Sequence, residues 1–173
     1  MEPKDLLLAD LDYVRGCFWK NEDIGEKRFG FFVTLVTAAV AGLIALSSNN
    51  NAAFSEIANW ALGSLLAFGV LTYLRMLHRN ALADGYKTMS DDIWTTAVDL
   101  CPDLSAKSYK LNWPAKKGLS KWARAGYAES IGVINGALFG AFVKFALGAD
   151  TGIAFLAGGA AAALFWVPSF MRK

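Results

Sequence analysis

The sequence predicts an all-α integral membrane protein. It has four transmembrane helices in two antiparallel hairpins, an N-terminal amphipathic helix and a cytoplasmic helical connection. Three observations predict this fold. Residues 29–46, 57–74, 131–147 and 151–167 are apolar runs of about 17–18 residues, enough to cross roughly 30 Å of hydrocarbon as helix. These runs show almost no polar stripe, which a soluble helix needs. Lysine and arginine alternate from loop to loop as four crossings require: sixteen of the 17 fall on one side, and Lys144 alone lies inside a run. Composition agrees, with 55% hydrophobic residues, a mean hydropathy of +0.34 and 18% charged residues against about 25% in soluble domains.

Lys4, Arg15, Lys20, Lys27 and Arg28 precede the first run, and 47–56 holds no basic residue. Arg75, Arg79, Lys87, Lys107, Lys110, Lys116, Lys117, Lys121 and Arg124 separate the second run from the third. The turn at 148–150 has none, and Arg172 and Lys173 close the chain. Both termini are therefore expected in the cytoplasm. The first 28 residues carry many charges and no apolar core with a cleavage site, unlike a signal peptide. The expected regions are 1–28, 29–77, 78–128 and 129–173.

Pro3 suits a first helical turn. Leu7, Leu8, Leu11, Val14 and Phe18 then recur at helical spacing, with Asp5, Asp10, Asp12 and Arg15 elsewhere on the wheel, giving an amphipathic helix of roughly four turns. Its acidic face disfavours anionic lipid and favours packing on protein. KNEDIGEKR at 20–28 is a charged stretch, either a linker or a continuation into the first run, and its carboxylates read as a solvated face. In the first run Thr34, Ala38 and Gly42 form one small-residue row, and Thr37, Ala41 and Ala45 another. SSNNNA at 47–52 is a polar outer turn. The second run carries a row of Asn59, Gly63 and Ala67, with Trp60 and Tyr73 at interfacial positions and Arg75 and Arg79 at its exit.

Residues 77–100 are expected as a separate cytoplasmic helix interrupted at Gly85, with Ser90 as N-cap to Asp91 and Asp92. Tyr86, Met89, Ile93, Ala97 and Leu100 would form its apolar stripe, and Cys101–Pro102 its end. Tyr86 and Trp94 are the candidate contacts for a cytoplasmic protein partner. Pro114 opens a short interfacial helix with Leu119, Trp122, Ala123 and Tyr127 on one side. Lys116, Lys117, Lys121 and Arg124 would face lipid headgroups, with Trp122 interleaved. An anionic ligand site on that basic patch is the competing reading.

The third run, IGVINGALFGAFVKFAL, sets Gly132, Gly136 and Gly140 four residues apart, with Lys144 next in the row. One helix face is thus stripped of side chains and ends in a cation. That face either packs closely on another helix, within the chain or between copies, or lines a pore ringed by copies of Lys144. Lys144 can also snorkel to the outer surface. Asn135 can hydrogen-bond across helices, and Asp150 can pair with Lys144. In the last run Ala154, Gly158 and Ala162 share a row, and Ala157 and Ala161 the next, as in a helix wedged among others.

Catalytic signatures are lacking: the sequence contains no GxSxG, HExxH, phosphate-cradling glycine loop or SxxK. Cys17, Cys101 and the lone His78 have no metal-site spacing. No enzymatic activity, cofactor or metal is expected, and a net charge of +2 argues against a general nucleic-acid surface.

From 6 to 100 the order of parts is an amphipathic helix, a charged segment ending in GEKR (25–28), a two-span hairpin, a basic exit RMLHR (75–79) and a helix. This order resembles small bacterial membrane proteins of the SLATT type, found with nucleotide-signal defence systems. The second hairpin departs from their two-span layout. The resemblance implies an oligomeric effector that perturbs the bacterial inner membrane when triggered, and it carries over no individual residue. The expected function is thus a homo-oligomeric pore-forming or membrane-perturbing effector in contact with lipid. A non-conducting scaffold or sensor recruiting a partner through 77–124, and a small-solute transporter, stay open beside it.

Overall fold

The computed structural model describes the backbone of residues 3–48, 54–102 and 119–171, and the side chains of 5–47, 54–102 and 126–167. The described residues form four helices and no strand: α1 (Pro3–Ser48), α2 (Phe54–Leu100), α3 (Leu119–Ala146) and α4 (Thr151–Met171). Three of them contain stretches long and apolar enough to cross a membrane, within Asp5–Ser47, Phe54–Leu100 and Gly126–Ala146. Thr151–Val167 is a shorter apolar helix.

Helix continuity decides one open reading and corrects two expectations. The charged stretch at 20–28 is helical, so α1 runs unbroken for 46 residues, about 69 Å at 1.5 Å per residue. Residues 77–100 are not a separate helix but the second half of the 47-residue α2, which passes Gly85 without a break. Ser90 is no N-cap: it lies mid-helix and is 1% exposed. The expected interfacial helix and the third run are likewise one helix from Leu119 onward. Composition permits this continuity, since 20–28 and 77–100 hold no proline.

The chain forms two compact units, Met1–Glu26 with Leu77–Ala123, and Lys27–Met76 with Arg124–Lys173. In the first unit the buried positions of α1 include Leu11, Phe18 and Gly25, and those of α2 Ala83, Ser90 and Ala97, each set at seven-residue spacing. That is the seam period of paired helices. The helices run antiparallel there, since Asn21 meets Arg79 and Lys87 lies over the Phe18 ring at 5.7 Å. The expected stripe on α2 is only half right: Ala97 is buried, whereas Met89 and Leu100 are 53% and 58% exposed.

In the second unit Leu62, Leu65 and Leu138 form a buried cluster, with Val36, Ala39, Leu43, Leu66, Ile134, Ala141 and Phe142 packed on it. The α3–α4 turn is built locally. Gly148 takes a left-handed φ of 62°, which a residue without Cβ adopts freely, and ends α3. Asp150 then caps α4, its Oδ1 accepting from the Gly152 amide at 2.7 Å.

Candidate functional site

The glycine row of α3 meets α4 of the same chain. A Cβ on Gly136 would stand 2.6 Å from the Ala162 Cβ and 2.7 Å from the Gly158 carbonyl oxygen. One on Gly140 would stand 2.9 Å from the Ala154 carbonyl oxygen, and one on Gly132 2.7 Å from the Phe165 Cβ. Gly158 answers from the other side, its own Cβ position 2.9 Å from the Gly136 carbonyl oxygen. Two backbones can lie this close only where side chains are missing on both. The face formed by Gly132, Gly136 and Gly140 is therefore occupied within the chain. Lys144 lies beyond it, exposed, and its Nζ donates to Thr151 Oγ1 at 2.9 Å. The expected pairing with Asp150 gives way to the capping role of that carboxylate, because the cap amide lies within reach of its own turn.

An adjacent face of α3, about 100° round the helix, turns to α2. Asn135 is 0% exposed there, and neither its Oδ1 nor its Nδ2 has a hydrogen-bond partner among the described residues. The hydrogen bond expected across helices is not made. Its carboxamide lies against Gly69 of α2, where an added Cβ would come within 2.9 Å of Asn135 Cγ. An orphaned amide in an apolar interior costs about 1–3 kcal/mol. One turn along α2, the Tyr73 hydroxyl donates to the Phe165 carbonyl, and the two rings meet edge to face at 4.8 Å. Thr72 satisfies its own hydroxyl on the Phe68 carbonyl at 2.8 Å.

The first unit contains a second inserted polar group, which the sequence did not disclose. Arg79 is 4% exposed. Its Nη1 donates to the carbonyls of Asn21 at 3.2 Å and Glu22 at 3.5 Å, and pairs with Glu22 Oε1 at 3.4 Å. Nη2 donates to Asn80 Oδ1 at 3.1 Å, and Asn21 Nδ2 donates back to the Arg79 carbonyl at 3.2 Å. The guanidinium lies over Gly25, where a Cβ would stand 2.6 Å from Nε. Arg79 is therefore no solvated exit marker, and Glu22 no free surface charge. The available signal was spacing: Gly25 stands seven residues after Phe18, leaving a hole in the α1 seam, and Arg79 stands four before Ala83 on the α2 seam.

Tyr86 and Trp94 are both half-buried on α2. Tyr13, close to Tyr86, has its phenol pKa raised first by a hydrogen bond with Cys17. Lys116 and Lys117 lie outside the described residues, and Lys121, Trp122 and Arg124 are described only as helical backbone. His78 is exposed. Among the described residues no three His, Cys, Asp or Glu side chains come together as a metal site.

Comparison with protein-family models, with curated proteins and with solved structures returned no match.

Proposed function

We propose that this chain is a four-span protein of the bacterial inner membrane, with both termini cytoplasmic, that acts as a homo-oligomeric pore-forming effector. Four crossings are supported by the alternation of basic loops, with Thr151–Val167 as the fourth. The observation that carries the oligomeric reading is the state of α1. Of its most apolar stretch 6% is buried, against 33% for α2 and 44% for α3. Its outward side holds Thr34, Thr37, Ala38, Ala41, Gly42 and Ala45, and nothing lies within 4 Å of a Cβ placed on Gly30 or Gly42. Small residues on a lipid-exposed helix let a second copy approach closely. The contact between copies thus belongs to α1, because α4 already covers the glycine face of α3. The same effector would act on membrane lipid and needs no cofactor.

The test is dye release from liposomes carrying the purified chain, combined with cross-linking of a Thr34→Cys variant in which Cys17 and Cys101 are serine. Release together with cross-linked oligomers is expected. Liposomes that retain the dye at every protein-to-lipid ratio would refute the reading.

A second reading is a membrane scaffold or sensor that recruits a cytoplasmic protein through 77–124. It is favoured by the apolar side chains that α2 leaves exposed, Leu82, Met89 and Leu100, beside half-buried Tyr86 and Trp94. Loss of a co-purifying protein on Trp94→Ala or Tyr86→Ala, with no dye release from the parent chain, would favour it.

A further inference from the structure

The two faces of α3 differ in how firmly they are held. Toward α4, glycine stands against glycine and alanine with no side chain between the backbones. Toward α2, the contact contains a carboxamide that is fully buried and without a partner among the described residues. Exchanging the oxygen and nitrogen of that amide does not help, because neither atom has a partner. The packing is nonetheless tight, since Gly69 is the only residue type that leaves room for the group. Four residues further along α2, the Tyr73 hydroxyl grips the Phe165 carbonyl of α4 and ties the pair back. One contact therefore weakens the α2–α3 seam, while the Leu62, Leu65 and Leu138 cluster and the Tyr73 hydrogen bond hold it.

We propose that Asn135 and Gly69 form the gate of the bundle. In the described packing the carboxamide is dry and the path is shut. In the conducting packing the α3–α4 pair has drawn back from α2, water reaches Asn135, and the Tyr73–Phe165 hydrogen bond is broken. This inference rests on the pore-forming reading and adds to it where the path opens. The free energy of hydrating Asn135 favours the separation, and the Leu62, Leu65 and Leu138 cluster and the Tyr73 hydroxyl oppose it. Gating of this kind needs no charged residue in the seam, and Lys144 stays outside it.

The experiment compares carboxyfluorescein release from phosphatidylethanolamine/phosphatidylglycerol liposomes carrying the full-length chain or its variants. Asn135→Leu replaces the carboxamide by an apolar group of similar size, so release should fall roughly tenfold and the melting temperature in detergent should rise. Tyr73→Phe removes the tie alone, and release should increase by about the same factor. Gly69→Ala pushes a methyl group into the carboxamide and should also increase release, and adding Asn135→Ala should cancel that increase. If the parent chain releases dye while Asn135→Leu and Tyr73→Phe release it equally fast, the gate is overturned and the pore reading survives. Additive effects of Gly69→Ala and Asn135→Ala would overturn it as well. A parent chain that releases no dye removes both readings together.

Discussion

Two glycines in this chain do the same steric work with opposite consequences. Gly25 makes room for the Arg79 guanidinium, and Gly69 makes room for the Asn135 carboxamide. In each case a polar side chain from one helix lies on the bare backbone of another. At Gly25 the Nη atoms of the inserted group meet two carbonyls, a carboxylate and an amide oxygen, and Nε alone has no partner among the described residues. At Gly69 it meets no hydrogen-bond partner among the described residues. A notch of this kind is therefore not stabilising in itself. Its effect depends on whether the inserted group finds partners once it has left water. A carboxylate and the carbonyls of a polar helical stretch supply them at the first site, and an apolar seam supplies none at the second.

The comparison breaks most visibly at Arg79. Arg79→Ala removes the guanidinium from the Glu22 carboxylate and from the Asn21 and Glu22 carbonyls while sparing the Asn21 bond to the backbone carbonyl of residue 79, and should cost about 1.5–3 kcal/mol in unfolding experiments on the detergent-solubilised chain. In the second notch, Asn135→Ala should cost under about 1 kcal/mol, because a small cavity is offset by relief of the orphaned amide. Equal losses at the two sites would end the contrast. Gly136→Val tests the contact on the other face of α3. Its added carbons meet the Gly158 carbonyl and the Ala162 Cβ, and the melting temperature should drop by an amount corresponding to about 1–3 kcal/mol. Gly159→Ala, which meets nothing within 4 Å, is the control and should change stability by less than about 0.5 kcal/mol. At the turn, Gly148→Ala puts a Cβ at a φ of 62° and should cost about 1 kcal/mol by the same measurement. Asp150→Ala, which removes the α4 cap, should cost about the same. The smallest effect belongs to Lys144→Gln. That ammonium is exposed and bonds the Thr151 hydroxyl alone among the described residues, so stability should stay within about 0.5 kcal/mol. A larger loss would return Lys144 to a structural role.

Much of the helical content was readable in advance. The apolar runs fall on the helices, and Gly132, Gly136 and Gly140 lie in a close backbone contact. What misled was local punctuation. Ser90 followed by two aspartates has the chemistry of a helix start, yet the helix was already running and Ser90 fits the seam because it is small. The GEKR stretch read as solvated charge and RMLHR as a basic exit, yet Gly25 and Arg79 within them meet. A cation is normally placed in water by default, and only a partner chain of carbonyls at the right height overrides that default.

Spacing and composition alone specify an all-helical chain with membrane-length apolar stretches, and they specify which faces are small, apolar or charged. Those properties are local, since a side chain's direction on a helix follows from its position in the 3.6-residue turn. Which face meets which neighbour is not local. That α4 rather than a second copy takes the glycine face, that Asn135 looks into α2, and that Arg79 leaves water for Gly25 all depend on several helices settling together. Competing partners for one face differ by only a few contacts, and no repeat within a single helix records which of them wins.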